Sequence, residues 1–207
     1  MKKKTRHTVI LELALLTGLL AWLLTGAMAL HTQAALAEKV VRLHVLANSD
    51  SEADQTLKLQ VRDCVLGHAE ALLRNAENRQ EAELLLREAL PELEQIAERE
   101  ITRRGYAYDV KAELETSSFP TREYDGFALP AGDYLALRIL IGEAQGQNWW
   151  CVVFPPLCTA ASESVPACAL AAGLDHEQVN LITEADEGYV LKFKIVEFWQ
   201  SFRQKFF

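Results

Sequence analysis

Four cysteines and five histidines are the side chains best suited to nucleophilic or metal chemistry in this chain. A cysteine hydrolase needs a thiolate within hydrogen-bond reach of an imidazole. Cys151, with His44, His68 or His176 as its base, is the arrangement to weigh. Yet Cys151 follows Trp149 and Trp150 in an apolar stretch, where a packed or disulfide-bonded cysteine is the ordinary occupant. Cys64, Cys151, Cys158 and Cys168 show no zinc-type pairing, and the histidines are scattered. Cys151 and Cys158 lie seven positions apart across Pro155-Pro156. A bridge there would stabilise by roughly 2.5 kcal/mol in the chain-entropy account. Two free thiols, on a strand and its exit loop, are the other reading.

Asn48-Ser49-Asp50-Ser51, with Asp54, gathers the oxygen ligands that a Ca²⁺ or Mg²⁺ site needs. The glycine and terminal glutamate of an EF-hand loop are missing. A strand-to-helix turn accounts for the same residues, with Ser51 as N-cap and Asp54 as the acid of a capping box. The residues therefore imply no catalytic centre, no metal, no cofactor and no small-molecule ligand. Trp149 and Trp150 point to another use. Neighbouring strand residues face opposite sides, so one can fill the core while the other is presented to a partner. His44 reads as a partly exposed structural histidine.

These residues need a frame. Lys39 to Ala47 alternates as a strand, with Val41, Leu43 and Val45 on one face. A helix follows over about 52–74, its buried stripe marked by Leu57, Val61, Val65, Ala69 and Leu72. A second helical region covers 80–104, with a restart expected at Pro91 and a C-terminal cap at Gly105. The period then becomes two from Tyr106 to Glu115, again from Tyr134 to Ile141, and over Trp149 to Phe154. Residues 159–187 are Ala- and Glu-rich and weakly patterned, and Tyr189 to Val196 reads as a last strand. Phe198, Trp199, Phe202, Phe206 and Phe207 form an aromatic amphipathic tail. The fold class expected is α/β of the α+β type, in the order β-α-α-β-β-β, with a mainly antiparallel sheet.

The N-terminus sets the compartment. Lys2, Lys3, Lys4 and Arg6 precede an apolar run from Val9 to Leu30, a pattern that favours export with the cations on the cytoplasmic side. Ala27-Met28-Ala29 and Ala35-Leu36-Ala37 are small-residue sites suited to a signal peptidase. Residues 1–37 thus read as a signal peptide or a retained signal anchor. Residues 38–207 read as one extracytoplasmic domain, with its core at 39–158 and a tail at 159–207. Without residues 1–29 the chain keeps 17 basic and 28 acidic side chains, a net charge of −11. Such an acidic domain is not expected to bind nucleic acid.

Three segments together resemble the stage II sporulation protein R family: VRLHVLANSDSEADQTLKLQVRD (41–63), SFPTREYDGFALPAGDY (118–134) and GQNWWCVVFPPLC (146–158). The resemblance implies a signalling protein rather than an enzyme. Such a protein is exported from the forespore into the intermembrane space, where it activates a membrane-embedded aspartic protease that processes the precursor of sigma factor E. The matching positions are Asn48, Ser49, Asp50, Arg62, Asp63, Pro120, Tyr124, Trp149, Trp150, Cys151, Pro155 and Pro156. Trp149, Trp150, Tyr124, Arg62 and His44 are the residues expected to meet the partner. Asn48, Ser49, Asp50, Asp63, Pro120, Pro155 and Pro156 are expected to be structural. The alternative function is an exported hydrolase using Cys151 on peptide or cell-wall material.

Overall fold

The structure is a computed structural model, and it describes residues 6–159 and 164–183. Its elements are α1 (Arg6–Ala37), β1 (Val41–Leu46), α2 (Glu52–Leu73), α3 (Arg79–Arg103), β2 (Val110–Phe119) and β3 (Arg122–Tyr124). They continue with β4 (Phe127–Leu129), β5 (Gly132–Ile141), β6 (Asn148–Phe154), α4 (Val165–Ala171) and α5 (His176–Thr183). The sheet order is β2-β5-β1-β6, and β3 and β4 form a separate ribbon. Both β2–β5 and β1–β6 are antiparallel, whereas β1 and β5 run parallel. The mixed α/β class and mainly antiparallel sheet are as the sequence suggested. The expected strand at 189–196 and the aromatic tail lie outside the described residues.

Alternation in β1 gives the sheet its two faces. Val41, Leu43 and Val45 join Leu137, Ile139, Cys151 and Val153 beneath the apolar stripes of α2 and α3. On the other face Phe119, Tyr134, Ala136 and Val152 pack with Leu36 of α1, β4 and the short helices α4 and α5. Each large side chain so buried contributes roughly 1.5–3 kcal/mol. The last turns of α1 are part of this second layer. Leu36 is fully buried, and Gln33 packs so closely on Gly132 that a β-carbon there would clash. Further up, α1 exposes Ile10, Leu13, Leu16 and Leu20. Among the described residues no helix is long and apolar enough to cross a membrane.

Two sequence expectations are corrected. The helix does not restart at Pro91, because α3 continues through it. Pro91 is on the exposed side, where water can satisfy the carbonyl its ring frees, while Leu86, Ala89, Leu93 and Ala97 carry one buried stripe across it. The strand expected from Tyr106 begins only at Val110. Gly105, at φ 84°, closes α3, and the Tyr106 N–H reaches back to the Ile101 carbonyl (3.1 Å). That cap takes Tyr106 out of the ladder.

Candidate partner-binding surface

Asp54 anchors the loop that positions the surface. Ser51 caps α2 by accepting from the Asp54 N–H (3.1 Å). The Asp54 carboxylate does not turn back to the Ser51 N–H as a capping-box acid would. That N–H goes to Ser49 Oγ, and Asp54 Oδ2 accepts from Asn48 Nδ2 (2.9 Å) and Ser49 Oγ (2.6 Å). Burial pushes the Asp54 carboxyl up. Hydrogen bonds from Ser49, Asn48, Tyr108 and Ser51 outweigh burial and hold it below its ordinary value.

The same loop grips the connection into β6. Asn48 Oδ1 accepts from the Glu143 N–H (3.0 Å), and Asp50 Oδ1 from the Gln147 N–H (2.8 Å). Gly146 lies against the Ser49 carbonyl, where a β-carbon would come within 2.2 Å of the oxygen. Asn48, Ser49 and Asp50 therefore act as a clamp whose oxygens already serve the protein's own donors. Among the described residues no cluster of three His, Cys, Asp or Glu could hold a metal ion.

β6 then presents the two tryptophans on opposite sides. Trp149 faces α2 and is 37 % exposed, with the Arg62 guanidinium 4.2 Å from its ring centroid. Arg62 also pairs with its exposed neighbour Asp63 (2.6 Å). Trp150 faces the other way, half-buried, stacked on His44 (5.8 Å, 17°) and covered by Arg122 at 3.8 Å. His44 Nε2 meets Asn148 Oδ1 (2.7 Å). Burial, with Arg138 and Arg42, pulls the imidazole below its ordinary value against the opposing Asn148 contact. Tyr124 stacks on Phe127 (4.6 Å). The structure thus groups Trp150, His44 and Tyr124 on one face, and Trp149 and Arg62 on the other. Pro120 sits at the exposed turn between β2 and β3. Pro155, after a cis bond, and Pro156 end β6.

Sequence reasoning missed two arginines. Arg42 alternates with Val41 and Leu43 as a solvent-facing residue would, but α1, β4, α4 and α5 cover its face and leave it fully buried. Its guanidinium lies 4.3 Å from the Phe119 centroid, 5.2 Å from Tyr134 and 5.9 Å from Tyr124, and it donates to the Tyr124 hydroxyl. Burial lowers its pKa, opposed by the two tyrosines. Burial also pushes the Tyr134 hydroxyl up to about 12. Aromatics on neighbouring strands at matching parity were the available signal. Arg122, the other omission, lies in a three-residue strand too short to show a period.

Between the Gln55–Leu59 stretch of α2 and β3 runs a groove of about 580 Å³, floored by Gln147 to Trp150 and bordered by Arg122. The arrangement offers aromatic faces and cations, the residue types enriched where proteins bind proteins. The cysteine weighed as a nucleophile is placed elsewhere. Cys151 is buried on the α2 side and disulfide-bonded to Cys158. His44 lies on the opposite face of the sheet, and His68 and His176 belong to α2 and α5.

No solved structure matches the chain. The model of the family described as stage II sporulation protein R matches residues 37–164. Stage II sporulation protein R of Bacillus subtilis (strain 168) is 36 % identical over 159 residues, covering 75 % of this chain and 71 % of that protein. With the match spanning the clamp, the groove and both tryptophans, the chain belongs to the stage II sporulation protein R family, and its role is in sporulation.

Proposed function

We propose that the chain is a messenger between the two compartments of a sporulating cell. It is exported from the forespore, held at or released from the membrane, and activates a membrane-embedded aspartic protease. That protease cleaves the precursor of sigma factor E. Family membership is the observation that carries the reading. Two features support it: the basic residues before the apolar α1 suit export, and the Trp149–Arg62 and Trp150–Arg122 pairs suit recognition of a protein.

The messenger reading requires the chain to act from outside the cytoplasm. A chain lacking residues 1–30, made in the forespore, is expected to leave the sigma precursor uncut, and a foreign cleavable signal peptide is expected to restore cleavage. Cleavage driven by the leaderless chain would overturn the reading.

A further inference from the structure

β6 is one of the two edge strands of the sheet. The Val152 N–H turns away from β1 to Cys158 Sγ (2.9 Å). In an antiparallel ladder alternate residues point their N–H and C=O to the same side, so those of Trp150 and Asn148 also face outward. Among the described residues no strand pairs with that side, and no backbone group meets it. The opposite edge is treated differently: the Ala112 N–H of β2 is capped by Glu94 of α3 (2.8 Å). An unpaired edge is a template for another strand.

The open stretch is short and walled. Lys58 Nζ occupies the Gln147 carbonyl (2.9 Å) at one end, and Cys158 takes the Val152 N–H at the other. The groove over it is bounded by α2 on one side and β3 on the other. A partner reaching that edge has to pass between α2 and β3, which suits a lone extended segment better than the edge of a second folded copy. Leu59 and Trp149, 36 % and 37 % exposed, supply apolar contact on the α2 side.

The β3 side lines the groove with Arg122 and the exposed Glu123, and Arg122 is the one set against β6. Arg122 lies over Trp150 with its Nε buried and unpartnered. Arg42, close enough to repel it, also has a buried unpartnered nitrogen, Nη1. Neither guanidinium has a carboxylate partner among the described residues. Arg122 is half-buried and lines the groove, so a positive charge left without a carboxylate there, with Arg42 behind it, favours an incoming anion. We infer that the outer edge of β6 receives a short extended segment of a partner protein as a fifth strand, with an acidic side chain of that segment set against Arg122. The inference deepens the messenger reading and rests on it only for the partner's identity.

The probe is a blocked heptapeptide of alternating valine and threonine with a central glutamate, compared with its central-lysine counterpart. Each is titrated into the full chain in detergent micelles and followed by amide NMR. The glutamate peptide is expected to bind at least tenfold tighter and to shift the amides of residues 147–151. Asn148→Pro, which removes one outward N–H, is expected to abolish binding. Asn148→Ala, which loses only the side chain, is expected to keep it. Should Asn148→Pro disturb the fold, Arg122→Gln decides instead, by equalising the two peptides. No binding at millimolar peptide, equal binding of both peptides, shifts confined to another face, or self-association through residues 147–151 would overturn the inference. Peptide binding without sigma-precursor cleavage by the wild-type chain would keep the edge and remove the protease as its partner. Cleavage without peptide binding would do the reverse.

Discussion

Removing the Asp54 carboxylate should loosen the clamp that sets β6 in place. The group is 5 % exposed and accepts from Asn48 Nδ2 and Ser49 Oγ, which in turn fix the turn gripping Glu143 and Gln147. A hydrogen bond to a charged group contributes about 1.5–3 kcal/mol. Asn48 and Ser49 lie near the surface and recover part of this from water. Asp54→Ala is therefore expected to cost about 3 kcal/mol, and Asp54→Asn about half as much, since one acceptor oxygen remains. At a urea slope of about 1–3 kcal/mol per molar, Asp54→Ala should lower the midpoint by about 1–3 M. Tryptophan fluorescence of the full chain in micelles would read it. The pH dependence supplies a second check. The folded-state pKa is depressed, so this stabilisation is present above the unfolded value of about 3.9 and is lost as pH falls through the folded one. Asp54→Ala should lack that part of the acid sensitivity. A loss below about 0.5 kcal/mol, the range of a neutral surface change, would refute the clamp.

Three further outcomes are expected. Arg42→Met should change stability by no more than about 1 kcal/mol, because losing cation–π and hydrogen-bond contacts is offset by no longer burying a charge. Arg42→Ala should cost about 3–5 kcal/mol through the cavity it leaves, and urea unfolding separates the two. His44 has a depressed pKa, so its contribution is intact above about 6.5 and falls away as pH drops through the folded value. The stability difference between wild type and His44→Phe should therefore shrink or reverse between pH 7 and pH 5. Cys151→Ser should lower stability by about 2.5 kcal/mol in non-reducing buffer and leave precursor cleavage intact. Complete loss of signalling by a folded Cys151→Ser chain would favour the hydrolase.

Where one local rule acts alone, the fold was legible in the sequence. Val41, Leu43 and Val45 alternate, the Asn48-Ser49-Asp50-Ser51 run breaks the strand pattern, Ser51 caps α2, and Gly105 ends α3. Where two elements share a residue, the reading failed. The spacing of Asp54 fits a capping box, but Asn48 and Ser49 compete for its carboxylate. Pro91 by itself favours a restart, but the tertiary stripe of α3 overrides local propensity. Alternation shows that a strand has two faces but not that both are covered. Arg42 and the far side of the sheet were therefore invisible until α1, α4 and α5 were in place. The parallel pairing of β1 with β5 joins segments about ninety residues apart, beyond the reach of any local pattern. At the candidate surface, the opposed tryptophans follow from strand parity. Arg122, brought over Trp150 by the β3–β4 ribbon, does not.

The measurement that tests the central claim most directly is reconstitution in non-sporulating cells making the membrane-embedded aspartic protease and the sigma factor E precursor. The exported chain would be supplied as wild type, Trp149→Ala, Trp150→Ala or Cys151→Ser, and precursor cleavage followed on a blot. The messenger account predicts cleavage only with the exported chain, retained by Cys151→Ser and reduced at least tenfold by either tryptophan change. Equal cleavage with and without the chain, or none with a folded and exported wild type, would contradict it.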